Sequence, residues 1–117
     1  MIKDIAFFCY PVANIPAARR FYEGVLGLKL EHNFQDQWLE YGINGATLAI
    51  TTKDNQHTPG LTGGMIAFEV DDLDAFVAQL RAKQVKFKGE PISTPVCRFA
   101  VITDPDGNEI IIHKRNA

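Results

Sequence analysis

Apolar and polar positions run the same course twice along this chain. Residues 5–50 and residues 65–112 each pass from an apolar run to a stretch of helical period and then to short extended segments. Residues 5–10 form an apolar run of strand length ended by Pro11, as expected of a strand covered on both faces. Asn14 caps the helix that follows, Pro16 is tolerated in its first turn, and Ala18, Phe21, Tyr22 and Val25 recur at helical spacing. Gly27 suits a left-handed turn that closes this helix. Extended stretches are expected at 29–34, 37–41 and 46–51, with residues 42–45 as the turn between the last two.

Residues 53–60 are polar and rich in turn formers, so 53–61 is expected to be a surface link. The pattern then restarts with a strand over 65–70, and with Asp71 or Asp72 capping a helix whose apolar face is Leu73, Phe76, Val77 and Leu80. Extended segments at 85–88 and 98–103, a dense turn signal over 104–108 and a last strand over 109–113 complete the second half. The chain is therefore expected to be α+β, a single domain over 1–117 built of two βαβββ modules, 1–52 and 62–117. A strand-rich half cannot bury its apolar face alone, so the two halves are expected to pack together and share a groove.

Alternation along the strands assigns their faces. Ile110 and Ile112 belong under the helix, leaving Glu109, Ile111 and His113 on the other side. Leu39 and Tyr41 belong in the core, with Trp38 and Glu40 toward the groove; Leu48 and Ile50 suit the core and turn Thr47, Ala49 and Thr51 the other way. In the first strand of each module every position is apolar enough for burial, and parity alone does not decide.

Composition narrows the function classes. With 117 residues, 46% of them hydrophobic, there is material for one core. A formal net charge of -2 with scattered Lys and Arg offers no basic field for nucleic acid or an anionic membrane. The first residues carry no charged-then-apolar leader, and no apolar run approaches the roughly 20 residues that cross a bilayer, so a cytoplasmic location is expected. Cys9 and Cys97 lie far apart in apolar segments and read as reduced thiols.

Residues 21–28 (Phe-Tyr-x-x-Val-Leu-Gly-Leu), 66–74 (Ile-Ala-Phe-Glu-Val-Asp-Asp-Leu-Asp) and 104–108 (Asp-Pro-Asp-Gly-Asn) occur in an order that resembles the vicinal oxygen chelate family, which includes glyoxalase I, extradiol dioxygenases, fosfomycin-resistance transferases and bleomycin-resistance proteins. The resemblance spans almost the whole chain. It implies an open, cupped mixed β-sheet with the helices on its outer face. In that family's metalloenzymes, His and Glu side chains on the groove faces hold a divalent metal. Carried onto this sequence, the four ligand positions fall on Phe7, Ala49, Met65 and Ile111. None suits a divalent ion that takes carboxylate, imidazole or thiolate. No metal or other cofactor is therefore expected, apart from the alternative of a displaced site drawing on Cys9, Glu40, Glu69, Glu109 and His113.

The candidate residues each carry two readings. Trp38, the single tryptophan, either stacks on a flat ligand or plugs the groove or a subunit contact. Arg98 either forks onto an anionic group of a ligand or pairs with Glu69 or Glu109. Cys9 is either a nucleophile or an inert buried thiol. His32 and His57 are expected to face water. Phe7, Met65 and Ile111 make an apolar pocket floor or fill the groove. The leading expectation is a metal-independent protein of bleomycin-resistance character that sequesters an amphipathic or aromatic small molecule, as a homodimer, with Phe7, Cys9, Ala49, Met65 and Ile111 lining the site. Trp38 stacks, while Glu40, Arg98 and His113 orient polar groups. The alternative is a glyoxalase-like lyase with displaced ligands, or a metal-free isomerase that moves a proton through Glu or His.

Overall fold

A computed structural model describes residues 1–54, 57–61 and 64–116. Asn55 and Gln56 of the expected link, and Thr62 at the expected start of the second module, lie outside the described residues. The chain divides into two compact units, Met1–Thr62 and Gly63–Ala117.

The first unit contains β1 (Phe8–Pro11), α1 (Ile15–Arg19), a wider π-helical continuation (Arg20–Val25), β2 (Lys29–Phe34), β3 (Trp38–Ile43) and β4 (Ala46–Thr51). Its sheet has the order β1-β4-β3-β2, with β1 parallel to β4 and the other pairs antiparallel. Asn14 caps α1 by accepting from the Ala17 N–H at 2.8 Å. The helical segment buries Ile15, Ala18, Phe21 and Tyr22, and Tyr22 stacks on Tyr41 with ring centroids 6.0 Å apart. Tyr41, Leu39, Leu48 and Ile50 are fully buried, so the parity read from β3 and β4 holds. The hairpin turn is tighter than the four residues expected: β3 runs on to Ile43, and only Asn44 (φ 47°) and Gly45 (φ 87°) make the turn. That geometry requires two left-handed residues, which Asn-Gly supplies.

The second unit repeats the plan with β5 (Ile66–Glu69), α2 (Leu73–Ala82), β6 (Ile92–Ser93), β7 (Cys97–Thr103) and β8 (Glu109–Arg115), in the sheet order β5-β8-β7-β6. Asp72, rather than Asp71, caps α2 by accepting from the Ala75 N–H at 3.0 Å. Leu73, Val77 and Leu80 of α2 are buried, as are Ile102, Ile110 and Ile112 of the sheet. The fold is thus α+β with two open mixed sheets and two short helices. Two strands differ from expectation: β1 starts at Phe8 and includes Pro11, leaving Ile5 88% exposed ahead of it, and the segment 85–88 forms no strand of its own. Residues 85–88 pair with β7 only through the Phe87–Ile102 bridge and flanking bonds such as Lys88 N–H to Val101 O. Gly89 (φ 86°) then turns the chain, and the outer strand forms at Ile92–Ser93 instead.

The buried Tyr41 brings one charged group under the first sheet. Glu23 accepts from Arg19 Nε at 2.7 Å and from the Tyr41 hydroxyl at 2.9 Å. Its carboxyl is held below the usual glutamate value of 4.5, first by the Arg19 hydrogen bond and also by Tyr41, against an opposing effect of burial. The folded state therefore binds this proton less tightly than the unfolded chain. The resulting stabilisation is complete above the unfolded value and fades as pH falls through the folded one. Below about pH 4.5 the melting temperature of the native protein is expected to fall more steeply than that of Glu23→Gln. Parallel curves in a thermal scan from pH 7 to pH 3 would reject this account.

Candidate functional site

The open face of the first sheet, opposite the helix, is built of cross-strand rungs. Phe34, Trp38, Thr51 and Pro11 form one rung, and His32, Glu40, Ala49 and Cys9 the next. The pairing of Phe8 with Leu48 and Tyr10 with Ile50 settles the face of β1: Phe8 and Tyr10 share the parity of the core, and Cys9 faces the other way. Phe7 sits against Trp38 edge to face, with ring centroids 5.3 Å apart. Phe7 is 46% exposed and Phe34 54%, large values for aromatic side chains on a sheet. The Trp38 indole N–H donates to Glu40 Oε2 at 2.8 Å, which fixes both side chains. The His32 ring stacks on Phe34 at 6.0 Å and is exposed, as expected for this residue.

Two members of this face contribute less than the sequence suggested. Ala49 is fully buried between the rung neighbours Cys9 and Glu40, so its methyl supports the surface without reaching a ligand. Cys9 is half-buried, and burial, reinforced by the Asp54 carboxylate, pushes its thiol up to about 11. Such a thiol is not an activated nucleophile. Iodoacetamide is expected to label Cys9 slowly at pH 8 and much faster above pH 10. Rapid modification at pH 7, mapped by mass spectrometry, would contradict that assignment.

On the second sheet, Glu69, His113, Phe99 and Ile92 form a rung of the open face, with Ala67, Ile111 and Val101 beside them. Met65 precedes β5 and is 49% exposed. Glu69 is clamped: Oε2 accepts from the Arg115 backbone N–H at 2.8 Å, and Oε1 lies 2.5 Å from His113 Nδ1. These two bonds, the backbone one first, hold the Glu69 carboxyl below the usual range. Glu109 receives Lys88 Nζ at 2.7 Å.

Arg98 is a correction. It was expected to orient a ligand or to pair with Glu69 or Glu109, but it stands in register with Lys114 on the helix side of the sheet. There its guanidinium forks onto Asp74 of α2, at 3.0 and 3.3 Å. The cause is parity, because Arg98 lies on the same face of β7 as the buried Ala100 and Ile102. Conversely, Phe34 was not singled out from sequence, and Glu69 and His113 were named there as separate candidates but not as a pair. A tight turn at Gln35 and Asp36, both with positive φ, sets Phe34 opposite Trp38. The parallel pairing of a module's first and last strands sets Glu69 beside His113.

The side chains do not fit a metal centre at the resemblance's four positions. Phe7, Ala49, Met65 and Ile111 offer hydrocarbon or thioether only. Among the described residues no group of three or more His, Cys, Asp or Glu is placed to hold a metal ion.

Comparisons with known proteins agree with the fold. Residues 4–112 match the Glyoxalase/Bleomycin resistance protein/Dioxygenase superfamily. TnmS3, an antibiotic binding protein from Streptomyces sp. CB03234, is 29% identical over 98% of both chains with a TM-score of 0.84. A glyoxalase/bleomycin resistance protein from the same Streptomyces is 31% identical over 93% of this chain and 98% of its own, with a TM-score of 0.78. A lactoylglutathione lyase from Agrobacterium tumefaciens, 17% identical over 97% and 95%, shares the fold with a TM-score of 0.79. No curated protein matches the chain.

Proposed function

Because the chain belongs to the Glyoxalase/Bleomycin resistance protein/Dioxygenase superfamily, we propose that it binds a small amphipathic or aromatic molecule without a metal, against the open face of the first sheet. The observation that carries this reading is the exposed Phe7–Trp38–Phe34 surface with the Glu40 carboxylate fixed at its edge by the indole N–H. Rigid aromatic rings supply contact area at low entropic cost, and a held carboxylate gives a ligand's N–H or cation one defined partner. Within the second unit, taken by itself, Met65 is 49% exposed and Ile111 lies on the open face of its sheet. The relative described as an antibiotic binding protein supports sequestration over turnover. In this reading residues 1–117 act as one domain, in the cytoplasm, as a homodimer. No helix among the described residues is long and apolar enough to cross a membrane.

Trp38 is the only tryptophan, so its emission reports directly on the site. Titrating chelator-treated protein with 8-anilinonaphthalene-1-sulfonate, and separately with metal-free bleomycin, is expected to change Trp38 emission along a saturating curve that excess EDTA leaves unaltered. Stoichiometric metal in the purified protein with binding lost on chelation, or flat emission with both probes, would refute the proposal.

A further inference from the structure

The open face of the first sheet carries a second carboxylate, which a glycine seats there. On β3 the residues of this face are Trp38, Glu40 and Gly42, since Leu39 and Tyr41 between them are buried. Opposite them the register of β2 shifts between Leu30 and His32, and Glu31 is the extra residue of that bulge. Its side chain lies across β3 in the space that Gly42 leaves empty, for a Cβ on Gly42 would overlap the Glu31 carboxylate. Along β3 the face therefore reads ring, carboxylate, carboxylate, with successive positions about 7 Å apart. Glu40 gives one oxygen to the Trp38 indole N–H at 2.8 Å, and its other oxygen remains for a ligand. Among the described residues neither Glu31 nor Glu40 is in an ion pair, and Lys29, in register with Gly42, does not reach Glu31.

Two carboxylates without a protein cation, next to exposed aromatic rings, complement a ligand that is both flat and positively charged. We infer that the molecule held on this face is a planar aromatic bearing an amidine, guanidine or amine, whose ring lies on Trp38 and Phe34 and whose cationic group lies between Glu40 and Glu31. Gly42 is a specificity-determining residue, because any side chain there displaces the second carboxylate. An amidinium or guanidinium is a planar fork that meets a carboxylate with two parallel, charge-assisted N–H bonds. A neutral amide of the same shape has one such N–H pair but no charge, and a carboxylate is repelled. This inference rests on the binding reading and adds to it the charge of the ligand and the residues that select it.

Naphthalene-2-carboxamidine, 2-naphthamide and 2-naphthoate share a ring system and a shape and differ in charge, so calorimetric titration of the full-length protein with each reads the selection directly. The amidine is expected to bind about tenfold more tightly than the amide, and the naphthoate more weakly than either. Glu40→Gln, whose side-chain oxygen still accepts from the indole, is expected to lose about fivefold in affinity for the amidine and none for the amide. Glu31→Gln and Gly42→Ala each lose about threefold for the amidine, and the double variant loses no more than either alone, since both remove the same carboxylate from the face. Each variant is checked for an unchanged melting temperature; should Gly42→Ala fail, Glu31→Gln carries the comparison. A preference for the amidine that survives in folded Glu40→Gln and Glu31→Gln overturns the inference. Equal affinities for the three compounds, all lowered by Trp38→Ala, overturn it too and leave the binding reading standing. No binding by any of them, with flat Trp38 emission toward 8-anilinonaphthalene-1-sulfonate and bleomycin, removes both.

Discussion

Asp104→Ala is expected to lower the melting temperature by about 15 °C, the largest stability loss among these predictions, although Asp104 touches no candidate ligand surface. The 104–108 turn joins β7 to β8, and Asp104 holds it together from within. Its Oδ1 accepts from the Asp106 N–H at 2.9 Å and the Asn108 N–H at 2.8 Å, and its Oδ2 accepts from Asn108 Nδ2 at 2.8 Å. Asp104 is 4% exposed and Asn108 1%. Alanine would remove the acceptor of these three hydrogen bonds, two of which are donated by the buried Asn108. Each buried unsatisfied donor costs about 1–3 kcal/mol, and the total comes to roughly 4 kcal/mol. In a chain of this length one kcal/mol moves the midpoint by about 4 °C. Asp104→Asn keeps an oxygen for the two backbone N–H groups and is expected to lose about half as much. Calorimetry decides: a midpoint for Asp104→Ala within a few degrees of the native one would mean that the turn does not depend on this carboxylate.

The same turn shows what was legible in the sequence. Asp-Pro-Asp-Gly-Asn announces itself because each residue type serves a local need, and local needs survive without tertiary context. The alternations in β3, β4 and β8 were readable for a related reason: one parity of each strand is consistently apolar, and the buried residues follow it. Where both parities were apolar, as in β1, only the pairing with β4 could decide the face. The segment 85–88 misled because its alternation of apolar and lysine residues imitates a half-buried strand. Its pairing stops at Gly89, and the short β6 that replaces it sits between Pro91 and Pro95, a composition that reads as loop. Arg98 and Glu69 were harder still. Their partners, Asp74 and His113, are 24 and 44 residues away, and no periodicity within one element points to them. The first-sheet site was thus half visible: Trp38 and Glu40 through parity, Phe34 only through the register of the β2–β3 hairpin.

Trp38→Ala is expected to weaken binding of 8-anilinonaphthalene-1-sulfonate about 30-fold, measured by the emission of the probe itself because the variant has lost its indole. The ring presents one face beside Phe7 and Phe34, and a flat ligand lying there covers on the order of 80 Å² of apolar surface on the protein side alone. At about 25 cal/mol per Å² that amounts to roughly 2 kcal/mol, which is about 30-fold in Kd. The indole also acts through Glu40: without the N–H at 2.8 Å the carboxylate is free to rotate into solvent, and the ligand loses a fixed acceptor. Trp38→Phe separates the two contributions. It retains most of the stacking area and removes the donor, so it should keep most of the affinity for a probe with no cationic group while weakening a cationic aromatic probe further. Phe7→Ala removes the edge-to-face support of the indole and is expected to fall between the two. Glu23→Gln, whose carboxylate lies beneath Tyr41 on the helix side, serves as the control and should bind as the native protein does. Native affinity in Trp38→Ala, with the fold intact by circular dichroism, would move the site off this sheet and remove the aromatic surface as the basis for binding.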